Sequence, residues 1–298
     1  MAWNGGSAFP GTNCAFLWGI ESPRGTAAQT VYLAGLGPTP SGEWRNNPIA
    51  SYGIGMEGPV VIKPGPAEFP VSMSFDVLPA SAAFLDKALR TGQGTDLDGL
   101  TLGYGNDDLA CYNLGFIFGE MDLSISERGV LSARCSGQSL YVSGGSPLSM
   151  ASVYSGLTEG PCTWSEGSIS NAFDSAPADY DIRSARFRFR NTLVTKYGFG
   201  ATVPYATGPK WVQETTIETH VEFSTYTPLS LTDMGVFSYA GLTISGTWTD
   251  EYSGHSIVAT ATGNAPDSWQ HGAIQPNALG QYSYSFLAKE FQLGGTTY

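Results

Sequence analysis

Apolar and polar residues alternate with a period of two along much of this chain, most cleanly between Asn113 and Ser143. Met121, Leu123 and Ile125 alternate with Glu120, Asp122, Ser124 and Ser126, and Leu131, Ala133 and Cys135 alternate with Ser132, Arg134 and Ser136. The pattern predicts one long β-hairpin turning at Glu127-Arg128-Gly129, with Gly129 in the left-handed conformation that such a turn needs. That loop length pairs Ile125 with Leu131, Leu123 with Ala133 and Met121 with Cys135, and it sets Asp122 opposite Arg134 on the polar face. Burying each large apolar side chain is worth about 1.5–3 kcal/mol, whereas a cross-strand ion pair is worth roughly 0.2–1 kcal/mol, so packing holds the register.

The same period predicts a strand at Phe69 to Val77, short apolar runs predict strands at Phe16 to Ile20 and Pro59 to Lys63, and further strands are expected at Leu242 to Thr249, Ile257 to Thr262 and Tyr282 to Leu293. Ala185, Phe187 and Phe189 alternate with Arg186, Arg188 and Arg190, while Ile217, Val221 and Phe223 alternate with Glu218, His220 and Glu222, so a basic and an acidic strand are available to each other. One helix is expected after Pro79. Ser81 is its predicted cap, Phe84, Leu85, Ala88 and Leu89 form its apolar stripe, Asp86 and Arg90 stand at i,i+4, and Gly92 ends it. Two stretches break the pattern. Leu33 to Pro70 is a Gly- and Pro-rich excursion carrying Trp44, Tyr52 and Met56, which predicts a docking loop, and Gly144 to Asp181 is an irregular connection. The chain therefore reads as all-β, a single domain over 1–298 or two β halves, 1–143 and 182–298, joined by 144–181.

With 298 residues, 42% of them hydrophobic and 13% charged, there is enough apolar material for a large core, and disorder is excluded. The formal net charge of -12 comes with no block of Lys or Arg, which argues against direct nucleic-acid binding. No stretch is long and apolar enough to cross a bilayer as a helix, and the opening residues do not read as a secretory signal, so a cytosolic origin is expected. Cys14, Cys111, Cys135 and Cys162 are unevenly spaced without a Cys-x-x-Cys, which predicts reduced packing residues.

Motifs for catalysis are absent: there is no nucleophile elbow, zinc-protease helix, phosphate loop or dinucleotide fingerprint, and three histidines leave little to build with. His220 between Glu218 and Glu222 reads as a solvated or ion-paired histidine rather than a pH switch. Asp250, Ser253 and His255 share a short loop, but nothing in their spacing makes them a triad. Asp96, Asp98, Asp107 and Asp108 offer oxygen ligands without the order of a calcium loop, so no metal and no cofactor are expected. Trp44, Trp164, Trp211, Trp248 and Trp269 read as core or interface residues. A carbohydrate-binding β-sandwich would use them as stacking platforms, and a β-rich glycoside hydrolase would add a carboxylate pair.

Three stretches together resemble the major tail tube proteins of long-tailed bacteriophages, of the larger siphovirus type. They are Gly19-x-Glu21-x-x-x-Gly25-Thr26-Ala27, the paired strands from Asn113 to Val142, and IRSARFRFRNTLVTKYGFG from Ile182 to Gly200, ending in Asn191 and a following loop. The resemblance implies a β-sandwich or barrel-like core with one flanking helix and long arms. It implies six subunits to a ring, rings stacked into a hollow virion tail assembled in the host cytoplasm, and no enzyme. Its partners would be the protein itself, other tail proteins such as the tape measure, terminator and distal tail proteins, and DNA that passes through without specific binding, with no membrane. On this reading Trp44, Tyr52 and Met56 belong to an inter-ring arm. Glu120, Asp122, Glu218 and Glu222 are the candidate lumen-facing residues, an acidic wall that repels phosphates, while Arg186, Arg188 and Arg190 point away or are neutralised by acidic partners.

Overall fold

The computed structural model describes residues 15–22, 24–43, 45–52, 54–55, 57–93, 99–105, 110–145, 157–171, 181–199, 201, 204–209, 216–225, 242–271 and 280–295. Among these the fold is all-β and sandwich-like, with one α-helix. Trp44, Met56, Asp96, Asp98, Asp107, Asp108 and Trp211 lie outside the described residues.

The first half runs β1 (Ala15–Ile20), β2 (Tyr32–Leu33), β3 (Ser41–Gly42), β4 (Arg45–Asn46), β5 (Ile49–Tyr52), β6 (Pro59–Lys63), β7 (Ala67–Asp76), α1 (Ser81–Gln93), β8 (Leu100–Gly105), β9 (Ala110–Ser126), β10 (Ser132–Ser139) and β11 (Tyr141–Gly145). The second runs β12 (Gly167–Asn171), β13 (Asp181–Arg190), β14 (Leu193–Tyr197), β15 (Pro204–Pro209), β16 (Thr216–Thr225), β17 (Leu242–Thr249), β18 (Ser256–His271), β19 (Gly280–Leu287) and β20 (Glu290–Gly295). The predicted strands at Pro59–Lys63 and Leu242–Thr249 have those bounds, while the single strand expected over Tyr282 to Leu293 is two, β19 and β20.

The main layer has the order β3/β4-β7-β10-β9-β13-β16-β19-β18, antiparallel throughout. One face of it is apolar because the alternation is strict: Phe69, Val71, Met73 and Phe75 of β7, Met121, Leu123 and Ile125 of β9, and Ala185, Phe187 and Phe189 of β13 are all buried. The cover on that face comes from β1 and β8, from β17, β20 and the start of β18, and from α1, which packs on β9 and β20. Phe84 of α1 lies with its ring centre 5.0 Å from Phe118 and 5.7 Å from Phe16. Most of the buried apolar residues of both halves, from Phe16 to Leu293, form one continuous cluster, with a small second one at Ala15, Leu17 and Ala110.

The two halves repeat the same connectivity. In the first, β3 and β4 run along β7, β7 pairs with β10, β10 with β9, the start of β9 with β8 and β11, and β8 with β1. In the second, β13 runs along β16, β16 pairs with β19, β19 with β18, the start of β18 with β17 and β20, and β17 with β12. Even the irregularities recur. The β8–β9 ladder slips between Leu100 and Leu102, as the β17–β18 ladder slips between Leu242 and Ile244. The bulge that skips Gly119 opposite Ser136/Gly137 has its counterpart where Asp267 is skipped between Pro266 and Ser268. The halves join at one seam, β9 against β13.

The hairpin at Asn113–Ser143 forms with the expected pairs Leu123↔Ala133, Asp122↔Arg134 and Met121↔Cys135. The ladder stops at Ser124↔Ser132, so Ile125 and Leu131 are not paired across it, and the Leu131 N–H bonds to the Cys162 carbonyl instead. At the turn Gly129 donates to the Ser126 carbonyl, but the left-handed residue is Arg128, with φ +62°. Of the turns closed between Ser126 and Gly129, the one formed here has positive φ at its third residue and not at Glu127, as in a type II turn, so the strain falls one position earlier than the sequence suggested. Ser81 also departs from expectation. Its hydroxyl donates to the Ala34 carbonyl at 2.6 Å and accepts from the Leu78 N–H at 3.0 Å, so it anchors α1 to the sheet instead of capping it, and α1 continues through Gly92 to Gln93.

The described part of the irregular connection, residues 157–171, is a clasp across the halves. Leu131 and Val77 are bonded through the backbone to Cys162, Glu159 accepts the Ala80 N–H at 2.9 Å, and Gly160 donates to Asp250 at 3.2 Å. Cys162 is fully buried, and burial pushes its thiol up to about 12. Cys135, also fully buried, is pushed up further by burial and the carboxylates of Asp122 and Glu120.

Candidate assembly surfaces

The second face of the main layer is polar and open. Period-two alternation forces the partners of the buried residues to this side, so Glu120 and Asp122 of β9, Glu218 and Glu222 of β16, and Arg186, Arg188 and Arg190 of β13 share it. The sequence sets Asp122 opposite Arg134, and the strands are in that register, yet the ion pair is made elsewhere. Arg186 grips Asp122 through Nε at 2.8 and 2.9 Å and through its terminal Nη2, and Asp122 is only 7% exposed. Its carboxylate, hydrogen-bonded to the guanidinium, raises the Arg186 pKa above its ordinary value. Arg188 bonds Glu120 at 2.6 Å and approaches Glu218 at 3.6 Å. Ser184 donates to Glu222 at 2.7 Å, and His220 lies 2.9 Å from the Ser285 hydroxyl and 3.6 Å from Glu222.

The four carboxylates therefore share one open face, interleaved with Arg134, Arg186, Arg188 and Arg190, and Arg186 and Arg188 of the basic strand are neutralised by the acidic strands on either side of it. Around this ladder the face is made of small hydroxyls: Ser72, Ser74, Ser124, Ser132, Ser136, Ser283 and Ser285. At the end of the seam is a polar groove of about 590 Å³, bordered by Arg45, Glu68, Glu120, Gln138, Arg190 and Asn191. The Asn191 amide is 5% exposed and has no hydrogen-bond partner among the described residues.

The second feature is a pair of hairpins standing outside the main layer, β5–β6 and β14–β15, each a separate two-stranded sheet. They are built alike. Tyr52 pairs with Pro59 and Tyr197 with Pro204, each after a one-residue register slip. The sequence behind them is a repeat, Arg45-Asn46-x5-Tyr52-Gly53-Ile54-Gly55-x3-Pro59 and Arg190-Asn191-x5-Tyr197-Gly198-Phe199-Gly200-x3-Pro204, which sequence reading missed and which was available as a signal. Each tip bears a bare apolar residue, Ile54 or Phe199, both completely exposed. On β5–β6 the bareness extends to Ile49, Tyr52, Val60, Val61 and Ile62. An isolated two-stranded hairpin is marginal in water, and a patch of this kind on a monomer marks an interaction site.

The residues examined for chemistry do not assemble. His255 Nδ1 lies 2.7 Å from Glu159, not on Asp250, and the Ser253 hydroxyl accepts the His255 backbone N–H at 3.2 Å. Asp250 accepts from the Ser253 and Gly160 N–H groups, so it shapes the loop. Trp248 is 1% exposed, which removes it from any sugar-stacking surface, and Trp164 is partly buried against the core. No group of three metal-ligating side chains occurs among the described residues, and no described helix is long and apolar enough to cross a membrane. Compared with protein-family models and with curated proteins, the chain matches none.

Proposed function

We propose that this chain is a structural subunit of a phage-type tail tube, associating with copies of itself into rings that stack around a channel for DNA. The observation that carries this reading is the pair of hairpins outside the main sheet, β5–β6 bare along its length and β14–β15 lying against β9 and α1 with Phe199 bare at its tip. A contiguous bare apolar surface of the β5–β6 kind marks a contact with a neighbour. The polar face supports the channel role. Its arginines at Arg186 and Arg188 are held by carboxylates, so they are not free to release counterions from a passing phosphate backbone, and the surrounding serines present no bulky side chain. On this reading Glu120, Asp122, Glu218 and Glu222 face the channel, Tyr52 belongs to the arm, and other tail proteins cap the ends of the tube. No catalytic step is assigned.

Negative-stain microscopy of the purified protein tests the reading. Rings or tubes are expected. Replacing Ile49 to Lys63 by a short Gly-Ser turn should leave a folded subunit that forms rings without stacking, and full-length tubes from that variant would remove the arm from the stacking contact.

A further inference from the structure

The seam inside the chain is a template for the contact between chains. Each half contributes four strand positions to the main layer, β3/β4-β7-β10-β9 and then β13-β16-β19-β18. The outer edge of β9 at Glu120–Ser126 is filled by β13. In the second half the equivalent edge belongs to β18 beyond its bend, Ala265–His271, which pairs with β19 on one side only among the described strands. The equivalent of β13 is β3/β4, which pairs with β7 and ends the layer. Among the described strands the layer thus ends in two unpaired edges that correspond, element for element, to the two strands already joined at its centre.

We propose that β18 of one copy pairs antiparallel with β3/β4 of the next, reproducing the β9–β13 seam. The internal register transfers residue by residue. Arg190 lies opposite Glu120 and Arg188 opposite Asp122. Their counterparts place Arg45 opposite Ser268 of the next copy, and Glu43 opposite Gln270. The contact is head-to-tail, so it propagates until it closes, and every chain adds two repeats of the same four-strand unit. This inference rests on the ring reading above, and it fixes how the repeats count: a closed ring of n chains presents 2n four-strand units, every second joint lying within a chain.

Paired cysteines test the register. Opposite residues of antiparallel strands have Cα atoms about 4.5–5.5 Å apart, within disulfide range. Arg190→Cys with Glu120→Cys is the internal control, forming a disulfide within one chain. Arg45→Cys with Ser268→Cys should form disulfides between chains on mild oxidation, ending in a closed covalent ring, while either single variant should not. The mass of that closed species, a multiple of the 31.6 kDa chain, should equal the mass of one wild-type ring layer read without substitution. Rings that assemble from the double variant without this crosslink overturn the inference and leave the ring reading standing. A protein that stays monomeric at every concentration overturns both.

Discussion

Gly115 and Gly263 hold the same backbone angle, φ +66°, at the same bend in two different strands. Gly115 ends the stretch of β9 that pairs with β11, and Gly263 ends the stretch of β18 that pairs with β20. The neighbouring bonds match as well: the Leu140 N–H reaches the Leu114 carbonyl, and the Lys289 N–H reaches the Thr262 carbonyl. At these points each long strand leaves the covering layer and enters the main one.

Substitution at either glycine should therefore be costly. A Cβ on Gly115 would stand 2.6 Å from the Leu140 side chain, and one on Gly263 would stand 2.7 Å from the Lys289 Cβ. Strained positive-φ positions cost about 1–3 kcal/mol. Gly115→Ala should fall at the upper end because Leu140 is buried, and Gly263→Ala at the lower end because Lys289 lies at the surface. Urea denaturation midpoints measure both, and equal, negligible shifts would contradict the shared bend.

The tip of the central hairpin gives a second expectation. Arg128, not Gly129, occupies the left-handed region, so Arg128→Val should lower stability by about 1 kcal/mol or more, since a β-branched residue avoids that region most strongly. Arg128→Gly should be neutral or mildly stabilising. Thermal melts of the two variants should move in this order.

A third concerns the ion ladder. Asp122 is nearly buried and Arg186 is about half exposed, so solvent screens the pair in part. Asp122→Asn should cost about 1 kcal/mol, the charge-assisted bonds being reduced rather than lost. A double-mutant cycle with Arg186→Met should show coupling, whereas a cycle of Asp122 with Arg134 should show little.

The clasp over residues 157–167 should be acid-labile. Burial pushes the Asp250 carboxyl up, but hydrogen bonds from Ser253 and the N–H groups of Gly160 and Tyr252 outweigh it and hold it below the ordinary value. The Glu166 carboxyl is held low chiefly by the Thr163 hydroxyl, with the N–H groups of Thr163 and Glu251 assisting. A carboxylate lowered in the folded state stabilises fully above its unfolded value and loses that contribution as pH falls through the folded one. Stability should thus be flat above the ordinary carboxylate range and decline below about pH 4. Asp250→Asn with Glu166→Gln should flatten that part of the profile.

The bare arm tips predict a separation of effects. Ile54→Ser and Phe199→Ser should leave the monomer's unfolding free energy within about 0.5 kcal/mol of wild type, as for other exposed positions. Both should weaken self-association, measured by sedimentation over a concentration series.

Much of the layer was legible from alternation alone. Leu123, Ala133, Met121 and Cys135 face one another as their spacing dictates, because a one-residue slip would turn every apolar side chain to water. The break between β19 and β20 was written in the phase of the pattern, since the buried residues shift from Tyr282, Tyr284 and Phe286 to Phe291 and Leu293. The duplication was harder to see. Outside the Arg-Asn-x5-Tyr-Gly-x-Gly-x3-Pro repeat its two copies keep connectivity and bends but few side chains, with β13 presenting Ala-Arg-Phe-Arg-Phe-Arg where the first copy has the short β3 and β4. Ion-pair partners were not legible because Arg186 reaches a strand far away in sequence, and long-range pairing is set by strand order rather than by local pattern.

The β9–β13 seam also changes how concentration enters. A linked pair of surfaces meets at the effective concentration set by its tether, so this joint closes in every molecule at any dilution. A contact between separate chains obeys mass action. Fusing two four-strand units into one polypeptide therefore makes one of every two successive joints independent of supply, and it lowers the molecularity of whatever closed assembly the free edges build.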